Sequence, residues 1–273
     1  MKFLKNIFSD LGLIKKLSLN DFKAKFSGSY FGVFWAFVQP IVTIMIYVFV
    51  FQVGFRAADT DNGYPYVLWL IAGIVPWFFF SEALMTATNC LVEYSYLVKK
   101  VVFKIDVLPV VKIISSLFVH VFFVFFAVII YLVNGRMLPI CFLQIIYYMI
   151  ACICLVFVLS YFTASIVPFF RDFFQIVNIV LQVGMWMCPI MWNENLLLAS
   201  QNPFISSTLI KILRFNPMYY IVQGYRSCFM GGDSAWFWQR PNLTIYFWVF
   251  VVVLFLISKK IYGKLKVHFP DVL

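Results

Sequence analysis

Apolar residues run along this chain in long unbroken blocks, and the polar positions gather between them. Phe123 to Val133 is continuous apolar sequence without alternation. That excludes the two-residue period of a barrel strand and points to a helix. A bilayer core about 30 Å thick needs about 20 such residues per helix. Six blocks meet the need: Phe31 to Phe55, Tyr66 to Thr88, Val110 to Val133, Ile140 to Phe169, Phe173 to Met191 and Leu243 to Tyr262. Lipid offers no partner to a backbone N–H or C=O, so helices or closed barrels are the only ways across. The pattern therefore predicts an all-α integral membrane fold with six transmembrane helices.

Two stretches depart from it. In residues 1–30, Phe3, Leu4, Ile7, Phe8, Leu11, Ile14 and Leu17 recur at helical spacing, with Lys2, Lys5, Lys15 and Lys16 among them. That is a basic amphipathic helix of the kind that lies in the membrane interface. It lacks the compact apolar core and small-residue cleavage site of a signal peptide, so none is expected. The second stretch, Trp192 to Asn242, holds short apolar pieces broken by Pro203, Pro217, Gly224 and Gly231-Gly232. Such pieces form re-entrant or interfacial helices where protein or a cavity buries them; a plain extracytoplasmic loop is the other reading. The chain divides into an interface helix, 1–30, and one transmembrane domain, 31–273, containing a basic connection at 93–109 and the broken region at 193–242.

Composition narrows the class. The chain is 64% hydrophobic and 12% charged, with mean hydropathy +0.95. Soluble domains are about 45–50% apolar and about 25% charged, so a soluble enzyme, a secreted domain, a nucleic-acid reader and a disordered chain are all excluded. The net charge of +10 reads as topology. With the N-terminus inside, fifteen Lys and Arg fall in cytoplasmic parts and six on the opposite side, which predicts both termini in the cytoplasm. The six cysteines lie in or beside apolar runs, and only two histidines are present. Cys152 and Cys154 point to nearly opposite sides of a helix, so packed thiols are expected and no metal site.

Candidate chemistry is sparse. Neither a G-x-x-x-x-G-K-[ST] nor a G-x-G-x-x-G phosphate loop occurs, so nucleotide energy would have to come from another subunit. Asp59 and Asp61 have the spacing of a metal-bound sugar-nucleotide site, which would make the chain a glycosyltransferase. They fall in an external connection, where activated sugars are absent. Glu82 and His120 lie within apolar blocks, where ionisable groups are costly. Two such groups make a thin proton relay; Glu82 either pairs with a neighbouring helix or lines a polar path. The connection 93–109 mixes lysines with Leu97, Val98, Val101, Val102 and Phe103. It is either a short amphipathic helix offered to a soluble partner or a solvated loop whose lysines set topology. Arg171 and Asp172 form a junction charge pair that would cap the fifth helix or pair locally. Gly28 and Gly32 make a G-x-x-x-G, a pattern that lets helices approach and dimerise. The aromatic share of 21% serves interfacial belts, or stacks on sugar faces.

Several stretches carry a resemblance: Gly32-Val-Phe-Trp35-Ala-Phe-Val-Gln-Pro40, Gly73-Ile-Val-Pro76-Trp77-Phe-Phe, and Leu97-Val-Lys99-Lys100-Val-Val-Phe103. Further on come Phe170-Arg171-Asp172, Pro189-Ile190, Asn216-Pro217 with Arg226, and Phe269-Pro-Asp271-Val-Leu273. In this order the chain resembles the ABC-2 type permeases that export polysaccharides, O-antigen and teichoic acids. The resemblance implies a permease with no covalent chemistry and no cofactor of its own, working in a bacterial inner or plasma membrane. It implies a second copy of the chain and two copies of a separate ATPase that bind ATP and Mg. The substrate would be a polyprenyl-linked glycan drawn from the surrounding membrane lipids. The coupling helix would lie within 97–108, with Leu97, Val98, Lys99, Lys100, Val101, Phe103 and Lys104 meeting the ATPase. Re-entrant helices would occupy 193–226 near the external gate, and the N-terminal helix would shape a lateral entrance. A sugar pathway is expected along Trp35, Trp77, Glu82, Gln182, Trp186, Tyr219 and Tyr220. One departure stands out: related chains tend to have Pro after the coupling Phe, where this chain has Lys104. A drug or lipid exporter of the same superfamily is the alternative.

Overall fold

The structure, a computed structural model, describes residues 11–25, 27–56, 63–98, 104–198, 202, 204–232 and 235–273. Helices account for all of its regular structure among the described residues. We number the principal ones α1 (Leu11–Lys25), α2 (Gly32–Gly54), α3 (Tyr66–Glu93), α4 (Ile105–Val133), α5 (Ile140–Ile166), α6 (Phe173–Met187), α7 (Pro217–Met230) and α8 (Pro241–His268).

Five of these, α2, α3, α4, α5 and α8, are long and apolar enough to cross a membrane. The fifth expected span is shorter than its sequence block: α6 has 15 residues, about 22 Å at the helical rise of about 1.5 Å per residue. It ends because Cys188 is extended, with ψ 131°, and Pro189 follows; a proline pushes the residue before it out of the helical region. Likewise α5 stops at Ile166, ahead of Pro168, rather than at Phe169. Pro241 at the first position of α8 has the fixed φ that a helix start favours, and that helix begins earlier and ends later than its apolar block.

The hub is α3, buried along most of its length and packed against α4, α5, α6 and α7. Ala72, Gly73, Ala83 and Ala87 on this helix are small enough for neighbours to approach closely. By contrast α2, equally apolar, leaves most of its surface open. The two glycines of the G-x-x-x-G do not share a helix. Gly28 (φ +88°) and Gly32 (φ +51°) turn the chain from α1 into α2, so the motif serves a turn and not a helix contact.

The described residues of 193–242 are largely helical. Asn195–Leu198 and Ile210–Arg214 are short, and α7 follows. Its start is built locally: Asn216 accepts the Met218 backbone N–H at 3.0 Å and Pro217 takes the first turn. Its end is Gly231, at φ +72°. Between these limits α7 is buried against α3 and α5.

Both described ends of the chain meet at one end of the bundle. Ile14 of α1, Leu91 of α3, Leu108 and Val111 of α4, Tyr262 of α8 and Phe269 of the tail share one apolar cluster. The connection between α3 and α4 leaves from the same end.

Candidate functional site

A cavity of ≈ 460 Å³ opens between α2, α3 and α6. Its polar lining follows from helical spacing, since residues four apart share a face. Gln39 and Thr43 come from α2, Trp77 and Ser81 from α3, and Asn178 and Gln182 from α6. Trp35 and Glu82 also line it, and Lys25, the last residue of α1, reaches in to form an ion pair with Glu82. Glu82 thus pairs with a neighbouring helix and lines this cavity.

Of the seven expected pathway residues, the structure gathers Trp35, Trp77, Glu82 and Gln182 here. Trp186, Tyr219 and Tyr220 lie elsewhere. Trp186 is exposed, and its carbonyl accepts from Trp192 Nε1 at 3.1 Å. The Tyr219 hydroxyl is committed to Glu194, 2.9 Å from Oε1. That of Tyr220 meets Tyr147 at 2.9 Å and Thr244 at 3.1 Å. His120 is also remote from Glu82: its Nε2 lies 2.8 Å from the Tyr225 hydroxyl within the packed interior.

The other side of α6 is apolar. Ile176, Val180, Val183 and Met187 line a groove of ≈ 620 Å³ with Phe80, Phe162 and Phe215. Trp77 and Leu181 belong to both spaces and form the wall between them. Gly184 lets that wall close up, since a Cβ there would lie 3.1 Å from Trp77 Cη2.

The connection 93–109 is pinned at both ends. At its start, Lys112 Nζ lies 2.6 Å from Asp21 Oδ1 and 2.6 Å from Glu93 Oε1. Tyr94 donates to Asp21 Oδ1 at 2.5 Å; burial and that carboxylate hold the Tyr94 hydroxyl pKa well above its ordinary value. At its end, Asp106 accepts from Lys266 Nζ at 2.6 Å and from the Tyr262 hydroxyl at 3.0 Å. The Tyr161 hydroxyl donates to the Asp106 carbonyl. Between the pins, Leu97 packs against the apolar cluster and Leu97–Val98 close a single helical turn, Ser95–Val98. Lys99, Lys100, Val101 and Phe103 lie outside the described residues, as do Asp59 and Asp61. Lys104 is exposed and extended, directly ahead of α4.

Arg171 and Asp172 are both exposed. Asp172 holds the N-cap position of α6, yet its side chain makes no cap hydrogen bond. No ion pair joins it to Arg171 among the described residues, so neither expected role is realised here.

Sequence reasoning misses three groups and leaves a fourth without a role. Asp21, Glu93 and Asp106 are acids set within basic flanks, which was the available signal; their lysine partners had been read only as topology. Arg226, named above only within the family resemblance, is 4% exposed. Its guanidinium sits 3.5 Å from the Trp69 ring centroid and donates from Nη2 to the Ile190 carbonyl at 2.8 Å. Gly73 makes the room: a Cβ there would lie 2.8 Å from Arg226 Nη2. The signal was a lone charge in the otherwise uncharged α7.

Known proteins are similar to this chain over most of its length. An O-antigen export system permease protein, RfbA, of Klebsiella pneumoniae is 23% identical over 271 residues, covering 96% of this chain and 95% of its own. Another, from Myxococcus xanthus, is 24% identical over 236 residues, 84% of each chain. The sequence pattern of the ABC-2 type transporters matches residues 13–230, from α1 to the end of α7, and the chain belongs to that family.

Proposed function

We propose that this chain is the membrane permease of an ATP-driven exporter of a lipid-linked polysaccharide. The observation that carries the reading is the two-sided α6. One face borders a cavity of amides, hydroxyls and two tryptophans, and the other an apolar groove, with Trp77 and Leu181 between. A polyprenyl-linked glycan has the same division. Its sugars suit aromatic faces and amide hydrogen bonds, and its tail suits the groove. The names of the relatives, O-antigen export permeases, support the substrate class.

In this reading the chain performs no covalent step. Two ATPase subunits bind ATP and Mg, dock on the connection 93–109 and bias the permease between inward- and outward-facing states. The pinned ends of that connection would turn a push at Leu97–Lys104 into movement of α1, α4 and α8. Two copies of the chain form the permease, with α2 and α6 offering the open apolar faces, and both termini lie in the cytoplasm of a bacterial cell. A sixth crossing is completed at α6, with the helices of 193–226 entering from the far side to make up its length. Reconstitution of the chain with its ATPase in proteoliposomes tests this. Lipid-linked glycan should appear on the far leaflet only with ATP, and ATP turnover should rise with substrate. Turnover and glycan orientation both indifferent to substrate would sink the reading.

A further inference from the structure

Among the described residues, one cation and one anion line the cavity between α2, α3 and α6, Lys25 and Glu82, and an ion pair joins them. Two features set this pair apart from the one beside it. The Lys112–Asp21 pair is buried, at 6% and 7% exposure, whereas the side chains of Lys25 and Glu82 are 40% and 30% exposed. A pair left open on the wall of a polar cavity has room for a third group to approach, so it exchanges a partner more readily than a buried pair does. A buried pair that loses one member leaves a costly orphan charge. The second feature is position. Asp21 and Lys25 lie four residues apart on one face of α1; Lys112 holds Asp21, whereas Lys25, which also borders the smaller space around Asp21 and Glu93, reaches on to Glu82 in this cavity.

Building on the lipid-linked glycan reading above, we propose that Lys25 is the phosphate-recognising residue of this cavity and that Glu82 competes with the substrate for it. A phosphoryl group linking lipid to sugar carries more charge and more acceptor oxygens than one carboxylate, and so displaces Glu82 from the Lys25 ammonium. A neutral sugar or neutral lipid has nothing to offer in exchange and leaves the pair closed. The freed Glu82 then repels the phosphoryl group, which keeps the bound state from becoming a trap. The link would sit at the mouth of the cavity, with Gln39, Asn178 and Gln182 beyond it for the first sugars.

The test uses the purified full chain in phosphatidylcholine nanodiscs, with N-acetylglucosaminyl polyprenyl diphosphate as the charged probe and polyprenol as the neutral one. Lys25→Gln should weaken the charged probe about tenfold, as loss of one charge-assisted contact would, and leave polyprenol unchanged. Glu82→Gln should tighten the charged probe several-fold, and Lys25→Arg should keep wild-type affinity. Opposite signs for the two glutamine variants are the diagnostic. A merely structural ion pair would move both probes, and both variants, in the same direction, and that result overturns the proposal, as does no effect of either variant. Competition by excess phosphatidylglycerol or inorganic diphosphate as effective as that by unlabelled probe would also overturn it, since the site would then read any phosphate. Wild-type protein that binds neither probe would bring down the glycan pathway itself; binding of both probes without discrimination by the variants would bring down only the role of Lys25.

Discussion

The Lys112 ammonium lies 2.6 Å from Asp21 Oδ1, joining α1 to α4 with both side chains buried. Glu93, also 2.6 Å away, completes the set from the last residue of α3. One lysine thus ties three helices together where the connection 93–109 begins. Removing it strands the buried Asp21 carboxylate and unpairs the half-exposed Glu93, whereas removing either acid leaves Lys112 the other. Lys112→Met should therefore cost about 3–5 kcal/mol, the usual penalty for breaking a buried pair, and Asp21→Asn distinctly less. Thermal melts of the purified chain in detergent would rank the two, and equal losses would contradict the geometry.

The second pin predicts a different phenotype. Asp106 holds Lys266 and Tyr262 at the end of α8, and Phe269 is buried just beyond. Asp106→Asn should release the tail while leaving the bundle intact. Limited proteolysis at Lys264 and Lys266 should speed up several-fold with little change in melting temperature.

Arg226 is a cation wedged between α3 and α7. Arg226→Ala removes the stack on Trp69 and the donor to the Ile190 carbonyl together, and should cost about 3 kcal/mol or more. Arg226→Lys should not rescue it, because an ammonium cannot reproduce a planar guanidinium lying on a ring. Melting curves of both variants check this; full recovery with lysine would show that charge alone suffices.

Gly224 of α7 faces the Tyr148 ring of α5 so closely that a Cβ would overlap it. Gly224→Ala should force the helices apart and cost about 1–3 kcal/mol, as overpacking does. Tyr148→Leu should be destabilising alone and partly compensating in the double variant. A double-mutant cycle on thermal stability reads the coupling.

Trp77 divides the polar cavity from the apolar groove. Trp77→Ala should raise the KM for glycan several-fold, in keeping with about 0.5–1.5 kcal/mol for an aromatic contact. Basal ATP turnover of the assembled complex should stay as it is, because Trp77 is far along α3 from the connection proposed above as the ATPase contact. Transport assays with varied substrate separate the two quantities.

Much of this was legible in the sequence. The boundaries of α3 and α4 were close because long apolar blocks are read without knowing their neighbours. The end of α6 was misplaced because Pro189 acts on the backbone of Cys188 while leaving the run of apolar residues unbroken. Trp35, Trp77 and Gln182 were placed in a pathway by residue type, and so were Trp186, Tyr219 and Tyr220, which the packing sends elsewhere. Residue type states what a side chain is able to do. It does not state which space the side chain borders.

By itself the sequence determined that this chain lives in a membrane, where its helices run and which segments are basic. Those properties depend on the length and polarity of continuous stretches, which partition between lipid and water one by one. Only the tertiary structure decided how the charges are used. Lys112 finds Asp21 across 91 positions, and Lys25 finds Glu82 across 57. An ion pair depends on a few ångströms in space, and in a helical bundle those distances are set by how α1, α3 and α4 pack.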